Sequence, residues 1–385
     1  MYLKAIAAAL LLSAGLPSAT HVRDDQQIQK GLEAAEAGDG QTALRLWTPL
    51  AEAGDAKAQF FVGLLSWNGD LVPGDKPLAV KWLRKSADQG NIWAEHILGQ
   101  AYAHGAGVEQ DPAAAADLYR KAAEAGYAPS QFKLGLMSEF GVGVAQDYAA
   151  AMTWYRKAAD QGNAQGQWGV AGLYGRGHGV AKDNAQALAW EQKAAEHGFG
   201  RAQVEMGHRY QTGDGVDEDQ VQALGWYRKA ASQGEARGML YLANAYHAGL
   251  GGVAKDPIQS VAWLREAAER GNADAEWELG IDYGRGYGVA PDRAAAVEWY
   301  RKAAVQGNLN GAYLYGSCML DGLGVAKDEK TGYVWLTLSG TTDPEVVKRL
   351  SEVEARLSPA DLADARQAIA AAKADIAARS VLVDH

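Results

Sequence analysis

Alanine-rich apolar stretches, aromatic positions and glycines recur along the chain on a fixed beat. A glycine ends each alanine-rich stretch, at Gly54, Gly90, Gly126, Gly162, Gly198, Gly234, Gly271 and Gly307. The step is 36 residues throughout, except for 37 between Gly234 and Gly271. Glycine-rich loops keep the same beat, starting at Gly69, Gly105, Gly141, Gly177, Gly213, Gly249, Gly286 and Gly322. The extra residue falls at Gly252, inside the loop Gly249-Leu250-Gly251-Gly252-Val253. A loop absorbs an insertion without shifting the helices around it. A period of this length is the mark of stacked repeats, in which each unit buries its apolar face on its neighbours.

Each unit reads as two helices. In residues 91–126, Asn91 caps a first helix running through Ile97, Leu98, Gly99 and Tyr102. After the loop Gly105-Ala106-Gly107-Val108, Asp111-Pro112 opens a second helix, with aspartate as N-cap and proline in the first turn. Asp256-Pro257 repeats that start signal. Arg120 and Lys121 sit toward the helix end, where cations suit the dipole, and Gly126 supplies the left-handed residue that stops the helix.

Aligning the units exposes what packing demands. One position in the first helix holds only small residues: Gly63, Gly99, Gly135, Ala171, Gly207, Ala243, Gly280 and Gly316. A glycine inside a helix costs about 1 kcal/mol against alanine, so its recurrence implies a neighbouring helix too close for a larger side chain. One position in the second helix holds Trp82, Leu118, Trp154, Trp190, Trp226, Trp263, Trp299 and Trp335, which reads as a core anchor. A third row, three residues before the small one, is aromatic-rich: Phe60, His96, Phe132, Trp168, Val204, Leu240, Trp277 and Tyr313. Packing between repeats explains it best.

The predicted fold is therefore an all-α, right-handed α/α solenoid of about eight 36-residue helix pairs with helical caps. Residues 1–19 resemble a secretory signal peptide, with Lys4 ahead of an apolar run over residues 5–12 and small residues beyond it. The run is too short to span a membrane. Cleavage follows Gly15 or Ala19, with Pro17 making the latter less comfortable. An exported protein, periplasmic or secreted, is the expected localisation. Residues 20–54 read as N-terminal capping helices, 55–342 as the repeat solenoid, and 343–385 as C-terminal capping helices and tail.

Certain blocks look like a known signature. Trp154-Tyr155-Arg156-Lys157-Ala158-Ala159, Trp226-Tyr227-Arg228-Lys229-Ala230-Ala231 and Trp299-Tyr300-Arg301-Lys302-Ala303-Ala304 resemble the Sel-one-like repeat (SLR), a subclass of tetratricopeptide-like α/α repeats. So do the loops over residues 105–111 and 141–147. The resemblance covers about residues 40–342. It implies an adaptor or scaffold, often bacterial and at the cell envelope, with relatives in signalling regulation, exopolysaccharide assembly and host interaction. A cysteine-rich branch with β-lactam-binding or hydrolysing members staples each repeat with a cysteine pair. This chain has Cys318 alone, so that activity is not carried over.

Composition and chemistry fit a binding protein. Lys+Arg number 37 against Asp+Glu 47, a net charge of −10, which disfavours a phosphate backbone as partner. The eight histidines form no HExxH or other close ligand pair. Gly316-Ser317-Cys318 lacks the second glycine of a nucleophile elbow. Gly249-Leu250-Gly251-Gly252 follows no strand, and Asp217-Glu218-Asp219 has too few alternating oxygens for calcium. No catalytic residue, cofactor or metal is expected.

What remains is the surface that varies freely. Two first-helix positions, two before and one after the small residue, change from unit to unit without a packing rule. Their polar and aromatic members, Gln100, Lys133, Glu205, His208, Tyr241, Asn244 and Glu278, are the candidate partner-binding residues on a concave face. The expected function is a non-enzymatic scaffold or regulatory adaptor of the bacterial envelope that binds a peptide or domain. Two other classes stay open. An envelope enzyme or antibiotic-binding protein requires a clustered nucleophile and base. A glycan-binding module requires the aromatic row to face solvent. On the packing reading, Trp226→Ala costs roughly 3–5 kcal/mol; a urea midpoint close to that of the unsubstituted chain contradicts it.

Overall fold

A computed structural model describes residues 19–383. The leader segment ahead of Ala19 lies outside the described residues. These residues form 20 helices and no strand, grouped in two compact units that meet between His197 and Gly198. Unit one opens with α1 (Ala19–Glu36) and α2 (Gly40–Glu52). Four helix pairs follow: α3 (Ala56–Asn68) with α4 (Lys76–Ala87), α5 (Ile92–His104) with α6 (Pro112–Glu124), α7 (Ala128–Phe140) with α8 (Tyr148–Asp160), and α9 (Ala164–Arg176) with α10 (Asn184–Glu196). Unit two has four more: α11 (Gly200–Thr212) with α12 (Gln220–Ser232), α13 (Ala236–Ala248) with α14 (Pro257–Glu269), α15 (Ala273–Arg285) with α16 (Arg293–Val305), and α17 (Leu309–Asp321) with the shorter α18 (Glu329–Leu338). It ends in α19 (Pro344–Arg356) and α20 (Pro359–Val383), and α20 packs mainly on α18. Both units are stacks of α/α pairs, the solenoid class read from the repeat.

Local chemistry sets the boundaries. Second helices start at an aspartate whose carboxylate accepts from backbone N–H groups of the first turn, as Asp111 does from Ala113 and Ala114 and Asp256 from Ile258 and Gln259. First helices stop at a left-handed glycine such as Gly105 (φ 67) or Gly213 (φ 74). The second glycine of each loop has a further reason. A Cβ at Gly143 would stand 2.1 Å from the carbonyl oxygen of Pro112, the first residue of the preceding second helix. The loop backbone thus rests directly on the neighbouring repeat.

The small-residue row does what its composition implied, but its partner differs from the one expected. A Cβ at Gly99 would come 2.8 Å from the Tyr119 ring, at Gly135 2.6 Å from Tyr155, at Gly207 2.4 Å from Tyr227, and at Gly280 2.5 Å from Tyr300. Leu83 and Leu336 fill the same role over Gly63 and Gly316. The anchor of the second helix is therefore the residue after the tryptophan row. The tryptophans themselves are half-buried, Trp226 excepted. Adjacent helical residues point about 100° apart, so only one of two neighbouring aromatics faces the first helix. The tryptophan instead lies under the lysine three residues on: Lys85 over Trp82 at 4.3 Å, Lys157 over Trp154 at 4.1 Å, Lys229 over Trp226 at 3.8 Å and Lys302 over Trp299 at 3.8 Å. These are cation–π distances at the edge of the core.

A relay of buried amides ties successive repeats. In unit one, Gln131 donates to the carbonyl of Ala123 in the preceding repeat at 3.0 Å and accepts from Gln161 at 2.7 Å. Gln59 does the same between Ala51 and Gln89. In unit two, Gln233 donates to Gln203 and Gln306 to Glu276. These buried side chains gain partners, and in unit one Gln59 and Gln131 also satisfy a carbonyl at a second-helix end.

The tightest of these helix contacts generates a prediction. Gly207→Ala improves helix propensity by about 1 kcal/mol, yet its methyl group collides with the Tyr227 ring. Overpacking of this kind costs roughly 1–3 kcal/mol, so the variant unfolds at lower urea than the parent. Gly225→Ala, with nothing within 4 Å of the added Cβ, is the control and is stabilised.

Candidate functional site

The candidate residues fall into both units. In unit one, Gln100 and Lys133 flank His96. The His96 ring lies 3.2 Å from the Gln100 amide and 2.9 Å from the Ser130 hydroxyl. It is buried, and burial, with the nearby Lys133 charge, pushes its pKa down to about 4. His96 is thus a neutral, hydrogen-bonded core residue. Lys133 is half-buried beside the Phe132 ring at 5.8 Å, and burial pushes its ammonium down from the usual value.

Unit two carries the other five. Arg237 pairs with Glu205 at 3.4 Å, and the neighbouring Tyr241 favours its charged form. The Tyr241 ring stacks on Tyr227 with centroids 4.6 Å apart and planes at 20°. Tyr227 in turn donates its hydroxyl to Gln211 Oε1 at 2.7 Å. Asn244, one turn along α13 from Tyr241, lies beside the Glu278 carboxyl and favours its charged form. His208 is exposed. Glu205, Tyr241, Asn244 and Glu278 therefore lie on three successive first helices, with Glu205 paired to Arg237 and Tyr241 stacked on Tyr227.

Glu278 is electrostatically unusual. Burial is the main cause that pushes its carboxyl up to about 7, opposed by the Asn244 side chain and reinforced by Asp282 and Asp274. Burial likewise pushes Asp282 up to about 6, with the Arg285 charge working against it. Asp282 is 5% exposed, and its Oδ2 has no hydrogen-bond partner.

Sequence reasoning missed Arg237, Tyr227, Gln211 and Asp282. A spacing signal exists for two of them. A polar residue four after the small one lies 16 positions before the anchor tyrosine, and the two hydrogen-bond: Gln211 with Tyr227, and Glu139 with Tyr155 at 2.7 Å. Arg176 completes the second of these by pairing with Glu139.

The remaining candidate chemistry resolves as packing. In the aromatic row Phe60, His96, Val204 and Leu240 are buried, and Phe132, Trp168, Trp277 and Tyr313 are half-buried. Trp277 packs into the core around Tyr300 and Tyr315. Half of the row is thus packed in the core, and the other half is only partly covered. Cys318 is half-buried, and burial pushes its thiol up, away from thiolate reactivity. Among the described residues, no group of three or more His, Cys, Asp or Glu is placed to hold a metal ion, and no helix is long and apolar enough to cross a membrane.

Comparison with known proteins agrees with the repeat geometry. The family model of the Sel1 repeat matches eight times, at residues 56–91, 94–127, 128–163, 164–199, 200–235, 236–272, 273–308 and 309–340. A protective antigen present in uropathogenic Escherichia coli strains, displaying an SLR fold, is 30% identical; the match covers 92% of this chain and 85% of that one, with a TM-score of 0.50. A Sel1 repeat protein from Oxalobacter formigenes is also 30% identical, covering 80% of this chain and 90% of that one, with a TM-score of 0.57. No curated protein matches the chain.

Glu278 gives a pH-dependent prediction. Its folded pKa, about 7, lies above the ordinary 4.5, so its contribution is fully present below about pH 4.5 and is lost as pH rises through 7. Glu278→Gln escapes that loss. Relative to the parent, the variant gains about 2 kcal/mol between pH 5 and pH 8, read by urea unfolding at the two pH values; equal stability differences at both contradict the assignment. His96 acts in the opposite sense, its folded pKa lying below the ordinary 6.5. Its contribution is present above pH 6.5 and fades as pH falls toward 4, so it does not mimic the Glu278 effect.

Proposed function

Because the chain belongs to the Sel1 repeat family, whose members are generally protein-interaction scaffolds, we propose that it is a non-enzymatic scaffold or regulatory adaptor. It acts at the bacterial cell envelope and binds a partner protein segment along the first helices, the concave side of helix-pair solenoids. One observation carries this reading. Where packing leaves the first-helix positions free, unit two leaves His208 exposed but fills others with side chains that make defined contacts. Arg237 pairs with Glu205, Tyr241 stacks on Tyr227, and Asn244 lies beside Glu278. Pre-organised polar and aromatic groups reduce the entropy cost of binding. Export rests on the leader-like residues 1–19, and a similar protein's description as a protective antigen favours an envelope setting.

The test is a crosslinking pull-down from a bacterial periplasmic fraction with residues 20–385 as bait. A Glu205→Lys/His208→Glu bait runs beside it, with Arg228→Glu on the exposed second-helix surface as control. The expected result is a partner whose affinity for the first variant falls roughly tenfold while the control matches the parent. Equal loss with both variants, or with neither, retires the first-helix face. The absence of any specific partner counts against the scaffold reading.

A further inference from the structure

Unit two contains a cavity of about 110 Å³ between α11, α12, α13 and the loop after α13. Leu224 and Leu250 form its apolar side, and Tyr227, Tyr241, Asn244 and Gln211 its polar side. The loop over it is the one that carries the extra residue of the 37-residue step. Gly251 (φ 65) lines the cavity, and a Cβ there would stand 2.8 Å from Leu224 Cβ. Gly252 (φ 81) follows beside Val221. The single irregularity of the repeat thus coincides with the cavity. Its size limits the occupant. Drug-sized ligands and cofactors occupy roughly 300–1,000 Å³, whereas an apolar cavity of about 150 Å³ takes benzene. This one has room for a single aliphatic side chain of a larger molecule.

A second feature adjoins the first. Asn244, on the cavity wall, lies beside Glu278, and the charged groups acting on Glu278 are the carboxylates of Asp282 and Asp274. Asp274 is engaged by Asn308 at 2.7 Å. Asp282 is buried with one carboxylate oxygen unpartnered, and the exposed Arg285 is the cation that acts on it. Two other acids on first helices are matched directly, Glu205 by Arg237 and Glu139 by Arg176. At Glu278 and Asp282 desolvation has not been offset in that way, and an incoming cation supplies the half-buried Glu278 carboxylate with a charge-assisted hydrogen bond and lowers the field on Asp282 behind it.

We propose that the cavity and the Glu278–Asp282 pair form one bipartite site for an extended partner segment, with an aliphatic side chain in the cavity and a neighbouring lysine or arginine against Glu278. This rests on the scaffold reading and gives it a partner chemistry. The tyrosine pair forms a rigid wall for the aliphatic group. Asn244 bridges the two halves, and Gln211 offers its remaining amide hydrogens to the segment's backbone.

The experiment pans the full chain against a random peptide library displayed on phage. Calorimetry then measures the enriched peptide, resynthesised, against the parent, Glu278→Gln, Ala245→Leu, which fills the cavity, and Leu250→Ser. Leu250 is exposed, so the last variant keeps the fold if the filled cavity does not. The expected peptides carry lysine or arginine close to an aliphatic residue. Glu278→Gln weakens them about 30-fold, and either cavity variant weakens them about 10-fold. Replacing the peptide's basic residue by methionine abolishes the difference between parent and Glu278→Gln. Enriched peptides that lack a basic residue, or that bind Glu278→Gln as tightly as the parent, overturn the bipartite site and leave the scaffold reading in place. If the chain enriches nothing beyond an unrelated control protein, the scaffold reading falls, and the site with it.

Discussion

A ring laid against bare backbone governs the repeat. In four units a tyrosine of the second helix occupies the space where a first-helix side chain would begin, as Tyr227 does over Gly207. Glycine in a helix interior costs about 1 kcal/mol, and the close-packed ring returns it through dispersion contacts and burial. The exceptions support the account. Ala171 and Ala243 face no tyrosine: the corresponding second-helix residues are Glu191 and Leu264, both buried. A methyl group stands in both of these places, whereas glycine is kept under Leu83 and Leu336. With the pair fixed at this distance, the loop glycines can set their backbone on the previous repeat, and the glutamines can bridge from one second helix to the next.

Much of this was legible because stacking imposes the same demand in every unit. The period, the small-residue row, the aspartate caps and the left-handed glycine stops each follow from one residue type at one position. The anchor was misread by one residue for an equally physical reason. Trp226 and Tyr227 are adjacent, both aromatic and both recurrent, and periodicity alone does not say which faces the first helix. The discriminating signal was the lysine three residues after the tryptophan. A position that recurrently sits below a cation lies at the rim of the core, where the ammonium stays in water while its stem covers the ring.

The candidate surface was legible only as freedom from packing. That criterion picked out Glu205, Tyr241, Asn244 and Glu278, which three-dimensional structure joins through a few contacts, and also His208, which stands exposed. It missed their partners because those sit at positions with structural duties. Tyr227 belongs to the anchor row and Arg237 lies in a first turn. Burial of a carboxylate is equally invisible in a sequence. Glu278 occupies the same repeat position as Lys133 and Glu205, yet its neighbours are two more acids and an amide, and its ionisation follows from them.

That an acid pair can remain so poorly compensated is a property of the architecture. Stability in a stacked repeat is close to a sum of unit and nearest-neighbour terms, so a local cost is confined to the repeats that share it. The Tyr300–Gly280 contact and the Gln306–Glu276 bridge secure α15 on either side of Glu278. They do so independently of whether Glu278 is charged. In a single-core domain the same desolvation would weigh on the whole cooperative fold. Here the regular repeats supply stability while one irregular pair of them, marked by the inserted loop residue and by the unmatched carboxylates, keeps a surface whose electrostatics are completed by something else.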